Sequence, residues 1–238
     1  MIQRPALFAI IYLAFATSLW AASDYEELNR IFSKGNYQKL IELAESKTKS
    51  DASDINAFYF GARSYLKLNN FDKGMQYLLR FEKLHDEIER EKKKEETKDP
   101  NQDFLWIDAY YFPAYYLLGE YYVKNSNFSK AERNLRRAKS GYFNDRMLNF
   151  YLGISSLELK KYDEAHKYFR RMIELDPKEP SPYYNIASTY ARQGKPKDAI
   201  EWLTKAVQAN PAYKKEAAAD KDFASIKNTK EFESLVKQ

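Results

Sequence analysis

Two histidines, His85 and His166, are the only imidazoles in the chain, and cysteine is absent altogether. They stand far apart with no further His or Cys beside either, so spacing assembles neither a zinc site nor a nucleophile with its base. Both are expected on the outer surface of helices. The adjacent carboxylates Asp163 and Glu164 fall where a helix should start, and the helix dipole favours acidic groups there without any acid-base role. Seven glycines are spread over turns and helix contacts, and none belongs to a phosphate-cradling loop, a nucleophile elbow or a His-Glu-x-x-His pattern. Residue chemistry therefore gives no support for an enzyme, a metal centre or a cofactor site. The lack of cysteine also removes disulfides and an acylated lipoprotein N-terminus, so stability has to come from packing.

Composition narrows the classes further. The 39 Lys and Arg are dispersed among 34 Asp and Glu, which makes a mildly basic, salt-laced surface and not a nucleic-acid footprint. At the N-terminus, Arg4 precedes an apolar run from Leu7 to Trp20 that ends in Ala21, Ala22 and Ser23. This layout predicts a secretory signal over residues 1–22, cleaved near Ala21 or Ala22. The run is shorter than the roughly 20 residues that span a bilayer core. An uncleaved anchor over residues 7–20, with bulky Leu19 and Trp20 near the cleavage point, is the alternative, and only it would keep the chain on a membrane. Either reading makes the protein exported, periplasmic or secreted.

The elements that would hold a binding surface emerge from a period of 34. Gly119, Gly153 and Ala187 recur at that spacing, as do Ala131, Ala165 and Ala199, and Leu135, Phe169 and Leu203. Leu118, Leu152 and Ile186 keep the same register, as do Ala138, Met172 and Ala206. Pro177 and Pro211 end the second stretch of two units, whereas the first unit has Phe143 there. Each unit reads as two helices joined by a short turn, such as Gln193-Gly194-Lys195. Gly153 or Ala187 on the first helix is small, on this reading, so that Ala165 or Ala199 on the second can approach.

These anchors resemble the tetratricopeptide repeat. Its pattern is met in residues 180–213 by Tyr183, Ile186-Ala187, Tyr190, Ala199, Leu203, Ala206 and Pro211. Residues 146–179 keep Leu152-Gly153, Ala165, Phe169 and Pro177, with Asn149 and Ser156 in place of aromatics, and residues 112–145 supply Tyr115, Leu118-Gly119, Tyr122, Ala131, Leu135 and Ala138. Degenerate units are expected at 55–88 (Phe58, Ala62, Tyr65, Leu78, Phe81) and 21–54 (Leu28, Ile31, Gly35, Tyr37, Leu40), so residues 23–88 hold two degenerate repeats. Gly61 and Gly74 stand where the family has Leu and Ala.

The resemblance implies an all-α, right-handed superhelix (solenoid) of about five helix-turn-helix units with C-terminal capping helices. It implies, too, that first helices line a concave face. Carrying over the family's fifth residue gives Tyr25, Tyr59, Tyr116, Phe150 and Tyr184, an aromatic ring in every unit. Two readings stay open for this ladder, ligand binding and packing between neighbouring first helices. The ninth and thirteenth residues add Arg63, Lys67, Glu120, Lys124, Ser188 and Arg192, mixed charges with a basic excess. The family's clamp for a peptide carboxylate is absent, since the fifth residue is never Lys and only Asn29 supplies Asn at the ninth.

Residues 89–111 lie out of register. The charge run Glu89–Lys98 should prolong the preceding helix until Asp99-Pro100, and Phe104 to Ile107 should plug the joint between units, or form a partner-binding loop. Residues 214–238 should close the array, with Phe223, Ile226, Phe232 and Leu235 covering the last repeat. The expectation is a non-catalytic adaptor for a protein or peptide in an extracytoplasmic complex. An architectural subunit that uses its convex face or ends, and a cell-wall or carbohydrate binder, are the alternatives.

Overall fold

A computed structural model describes residues 24–96, 111–142 and 144–237, with the side chains of 91–96 excepted. The expected signal segment, Phe104–Ile107 and Phe143 lie outside the described residues. The chain divides into two compact units, Met1–Phe104 and Leu105–Gln238. Every regular element among the described residues is helical.

The first unit contains α1 (residues 24–33), α2 (Tyr37–Ser50), α3 (Ile55–Lys67) and α4 (Phe71–Glu96). The charge run does continue the helix, since α4 is 26 residues long. The second unit contains α5 (Phe112–Lys124), α6 (Phe128–Ala138), α7 (Arg146–Glu158), α8 (Tyr162–Leu175), α9 (Ser181–Arg192) and α10 (Pro196–Ala209). After them come α11 (Tyr213–Ala219), a 3-10 turn (Lys221–Phe223) and α12 (Lys230–Lys237). Odd and even helices pair as hairpins, and within the second unit each hairpin packs on the next.

One turn geometry makes all five hairpins. The second residue after each first helix has positive φ: Gly35 at 75°, Asn69 at 60°, Ser126 at 56°, Lys160 at 59° and Gly194 at 70°. The amide of the following residue reaches five residues back, from Asn36 to Ile31, Asn70 to Tyr65, Asn127 to Tyr122, Lys161 to Ser156 and Lys195 to Tyr190. This bond satisfies an orphan carbonyl and reverses the chain within a few residues. Aspartates start the next first helices: Asp54 accepts from the Ala57 amide at 2.8 Å, and Asp145 from Leu148 at 2.7 Å.

The core runs between the two helices of each hairpin, through buried Leu118 and Leu135, Leu152 and Phe169, Ala187 and Leu203. A Cβ added at Gly119 would lie 2.4 Å from the Leu135 side chain, and one at Gly153 would lie 2.4 Å from Phe169. The small residue on the first helix is thus matched to the large side chain opposite it, and not to Ala131 or Ala165. That pairing fixes how closely the helices approach.

The C-terminal segment repeats the same plan. Second helices begin at Phe128, Tyr162, Pro196 and Lys230, each 34 residues after the last. α11 and the 3-10 turn therefore occupy the place of a first helix and α12 that of a second, making a truncated further hairpin. Phe223, Ile226 and Phe232 are buried against Tyr184, Ala187, Leu203 and Val207, with Leu235 packed at the edge. They remove from water the apolar side of the last full repeat, which has no other neighbour among the described residues.

Candidate functional site

The first helices present the predicted residues, each unit by itself. In the first unit, Tyr59 on α3 is fully buried. Its ring stacks on Tyr25 at 6.1 Å and lies 4.9 Å from Phe60 and 5.7 Å from Phe81. Arg63 donates from Nη1 to the Tyr59 hydroxyl at 2.9 Å, with its guanidinium 4.0 Å from the centre of the Phe32 ring. Burial drives the Tyr59 phenol well above its ordinary range. Tyr59 and Arg63 therefore serve the core of this unit, while Lys67, one turn on, is exposed.

In the second unit the same register position has three environments. Tyr116 on α5 is half-buried, with its ring 5.0 Å from Tyr142 and 6.4 Å from Tyr151, and its hydroxyl donates to Asp145 at 3.3 Å. Phe150 on α7 is also half-buried, 5.7 Å from Tyr151, and Met147 one turn before it is exposed. Tyr184 on α9 is buried, with its ring stacked at 4.6 Å on Tyr213 and 5.4 Å from Phe223. Its hydroxyl donates to Asp220 at 2.8 Å. Tyr116 and Tyr184 thus share a device, a phenol that donates to a capping aspartate, Asp145 at the head of α7 and Asp220 at the head of the 3-10 turn. Burial, then that neighbouring carboxylate, raises both phenols. Phe150, with no hydroxyl, cannot take part.

The ninth and thirteenth positions are largely engaged within the fold. Glu120 accepts from Lys124 at 2.7 Å and from the Tyr151 hydroxyl at 3.1 Å. Burial and this carboxylate push Tyr151 up to about 12. Arg192 pairs with Glu158 at 2.7 Å, one repeat back, and approaches Asp222 at 3.7 Å. Ser188 donates to Asp222 at 2.8 Å. Of the basic residues read from the sequence, Arg192 is matched by acidic partners from adjacent repeats and Lys124 by Glu120 of its own helix. Tyr151, Asp145, Asp220 and Asp222 are the site residues the sequence reading missed. Only Asp145 carried a signal, as a helix-start residue just before a unit.

One stretch of chain already lies on this face. Asp220 has extended backbone, φ −73° and ψ 128°, and leads into the 3-10 turn Lys221–Phe223, which packs on α9. Asp220 and Asp222 take hydrogen bonds from Tyr184 and Ser188, Phe223 inserts its ring beside Tyr184, and the Ser225 hydroxyl donates to the Ala191 carbonyl at 2.8 Å. The surface of a first helix in this array holds an acidic-aromatic 3-10 turn of the chain's own C-terminal segment through hydroxyls, a guanidinium and rings.

Both histidines prove to be interior. His85 on α4 is 2 % exposed, with its ring 5.9 Å from Phe81. His166 on α8 is 9 % exposed, with its ring 4.1 Å from Tyr190 and Nε2 3.1 Å from the Gln193 amide. Residue type suggested a surface position, but both sit where a second helix meets other elements of the core. Burial, reinforced by Arg170, lowers His166 to about 4. Ligand atoms of His85, Asp86 and Glu89 lie within 4.8 Å of one another. All three come from about one turn of α4, and the imidazole faces an aromatic core, so they add no convergent set from separate elements.

Comparison with known proteins places this geometry. Residues 116–180 match the family model described as tetratricopeptide repeat, and residues 154–230 match that of regulator of microtubule dynamics protein 1-3. A tetratricopeptide repeat-containing protein, YpiA of Bacillus subtilis (strain 168), is 22% identical over 191 residues, covering 80% of this chain and 40% of its own length. The chain thus spans less than half of that relative. Among solved structures, YrrB, titled a tetratricopeptide protein with an unusual peptide-binding site, superposes with TM-score 0.54 at 21% identity, over 77% of this chain and 83% of its own. A MamA structure (AMB-1) gives 0.52 at 20% identity, over 78% and 96%. At such identities the likeness speaks to architecture, and it agrees with the hairpins, turns and glycine contacts above: the chain has the all-α helical-repeat fold of the tetratricopeptide solenoids.

Proposed function

We propose that the chain is a non-catalytic adaptor that holds an extended peptide, or an extended segment of a partner protein, on the first-helix face of residues 112–192. One observation carries this reading. The chain's own Asp220–Phe223 segment, an extended residue leading into a 3-10 turn, is held on α9 by Tyr184 and Ser188, and the equivalent faces of α5 and α7 offer half-buried rings, Tyr116 and Phe150, with Met147 and Lys124 exposed beside them. Rings of this kind supply contact area with little entropy to lose, and a strand laid across helices meets them in turn. Export to an extracytoplasmic compartment is part of the proposal and rests on the residue pattern of 1–22.

The test is capture by the full chain from an extracytoplasmic extract, compared with the double variant Tyr116→Ala, Phe150→Ala. Loss of a specifically captured protein with helix content unchanged is expected. Undiminished capture by the folded variant would reject the groove, and retention on purified glycan with no protein recovered would favour a carbohydrate ligand instead.

A further inference from the structure

Consecutive first helices of the second unit carry opposite chemistry at one register. On α9 the fifth, ninth and thirteenth residues are Tyr184, Ser188 and Arg192, three hydrogen-bond donors, and beneath the C-terminal segment they face Asp220 and Asp222. On α7 the same positions hold Phe150, Ile154 and Glu158. Phenol becomes phenyl, hydroxyl becomes alkyl and guanidinium becomes carboxylate, so none of the groups that hold the two aspartates exists one repeat back. Both sets are compatible with the hairpin, since α7 and α9 occupy equivalent places in it. The difference therefore falls on what each face can hold.

Phe150 and Ile154 are half-buried, packed on the core cluster that contains Phe169 and Ile186, and Met147, one turn before Phe150, is 46 % exposed. Spacings of three and seven residues set Met147, Phe150 and Ile154 in one stripe along α7. Met147 is the only large apolar residue exposed among the described residues of this unit, and its counterpart on α9 is Ser181. The charged groups beside the stripe are already paired. Lys124 donates to Glu120 at 2.7 Å, Arg192 pairs with Glu158 at 2.7 Å, and Arg146 at the head of α7 pairs with Asp176 and Glu179. Glu120 accepts also from the Tyr151 hydroxyl, and Asp145 from the Tyr116 hydroxyl and the Leu148 amide. The stripe thus has an apolar centre and a rim whose polar groups find partners within the fold, which is the layout of a protein-binding patch. A carboxylate brought here would leave water for phenyl and alkyl surface, with no donor at the fifth, ninth or thirteenth residue to receive it.

We propose that the partner's segment is anchored over α7 by an uncharged, bulky apolar side chain, Leu, Ile, Met or Phe, and carries no acidic residue at that place. The inference rests on the adaptor reading and deepens it by naming the chemistry of the segment that is held. The chain's own cap shows where such an anchor sits: Phe223 is fully buried with its ring 5.4 Å from Tyr184, the α9 counterpart of Phe150. The same cap shows what α7 excludes, because its two aspartates depend on the hydroxyls of Tyr184 and Ser188. Rejection of acid at α7 also keeps the cap from seating one repeat out of register. A desolvated apolar anchor inside a polar rim is the arrangement in which a few residues carry most of the binding energy.

The experiment is selection of a displayed library of random dodecapeptides on the immobilised full chain, read from the peptides whose capture is lost in the folded variant Tyr116→Ala, Phe150→Ala. We expect those peptides to share one Leu, Ile, Met or Phe and to be depleted of Asp and Glu beside it. Replacing that residue by Asp in a synthetic copy of the most enriched peptide should weaken binding roughly tenfold or more. The variant Phe150→Tyr, Ile154→Ser, which gives α7 two of the α9 donors, should bind that peptide less well and discriminate less against its Asp version. An acidic consensus, or an unchanged preference in the folded variant at 150 and 154, overturns the inference and leaves the adaptor reading standing. If no captured peptide depends on residues 116 and 150, both fall. Should the variant at 150 and 154 unfold, Met147→Gln at the exposed end of the stripe decides: capture should drop several-fold, and undiminished capture overturns the inference.

Discussion

The last full repeat and the two before it place equivalent residues at equivalent positions and use them differently. In residues 180–213 the fifth and ninth residues, Tyr184 and Ser188, are buried beneath the C-terminal segment and donate to Asp220 and Asp222. In residues 112–145 and 146–179 the corresponding Tyr116 and Phe150 stay half-exposed. The array closes one end with a truncated copy of itself, and in doing so displays what its first-helix face can hold. The open repeats keep the same rings without an occupant from this chain among the described residues.

The comparison is broken most forcefully by removing the cap's anchor. Phe223→Ala empties a fully buried site between Tyr184 and Phe232 and should cost about 3–5 kcal/mol in thermal or denaturant unfolding. If the cap is as integral as its burial implies, exchange protection should fall on α9 to α12 before α5 and α6. Acid probes the joint between the open and closed repeats, because His166 packs against Tyr190 and Gln193. The folded ring protonates only near pH 4 and the unfolded one near 6.5, so stability should be whole above that window and fall as pH drops through it. The loss should be on the order of 1–3 kcal/mol, and His166→Leu should flatten it in a pH series of melts. The finest test is the hydroxyl pair. Tyr184→Phe removes a buried 2.8 Å bond to Asp220 and should cost about 1 kcal/mol, whereas Tyr116→Phe removes a 3.3 Å half-exposed one and should cost about half of that or less.

Much of this architecture was legible because packing imposes a strict spacing on small and large residues. Gly119, Gly153 and Ala187 announced where helices touch, although their partners are Leu135 and Phe169 rather than the alanines of the second helix. The shared turn was less visible. Asn69, Ser126 and Lys160 adopt the left-handed conformation where Gly35 and Gly194 do so cheaply, so tertiary packing overrides residue preference at three of five turns. The histidines misled, since polarity suggests water and only the fold reveals that their faces are shared with Phe81 and Tyr190. Nor could a single strand of sequence show that Arg192 is matched by Glu158, because repeats bring residues 34 apart into contact through helices whose rotation the spacing does not give.

The most direct measurement places a photo-crosslinking side chain at Phe150, in the open repeat, or at Tyr184, beneath the cap, in the full chain within its native host. The account predicts an intermolecular adduct with a partner protein from position 150, and from position 184 only an intramolecular link to residues 213–223. A partner adduct from position 184 with none from 150 would contradict it.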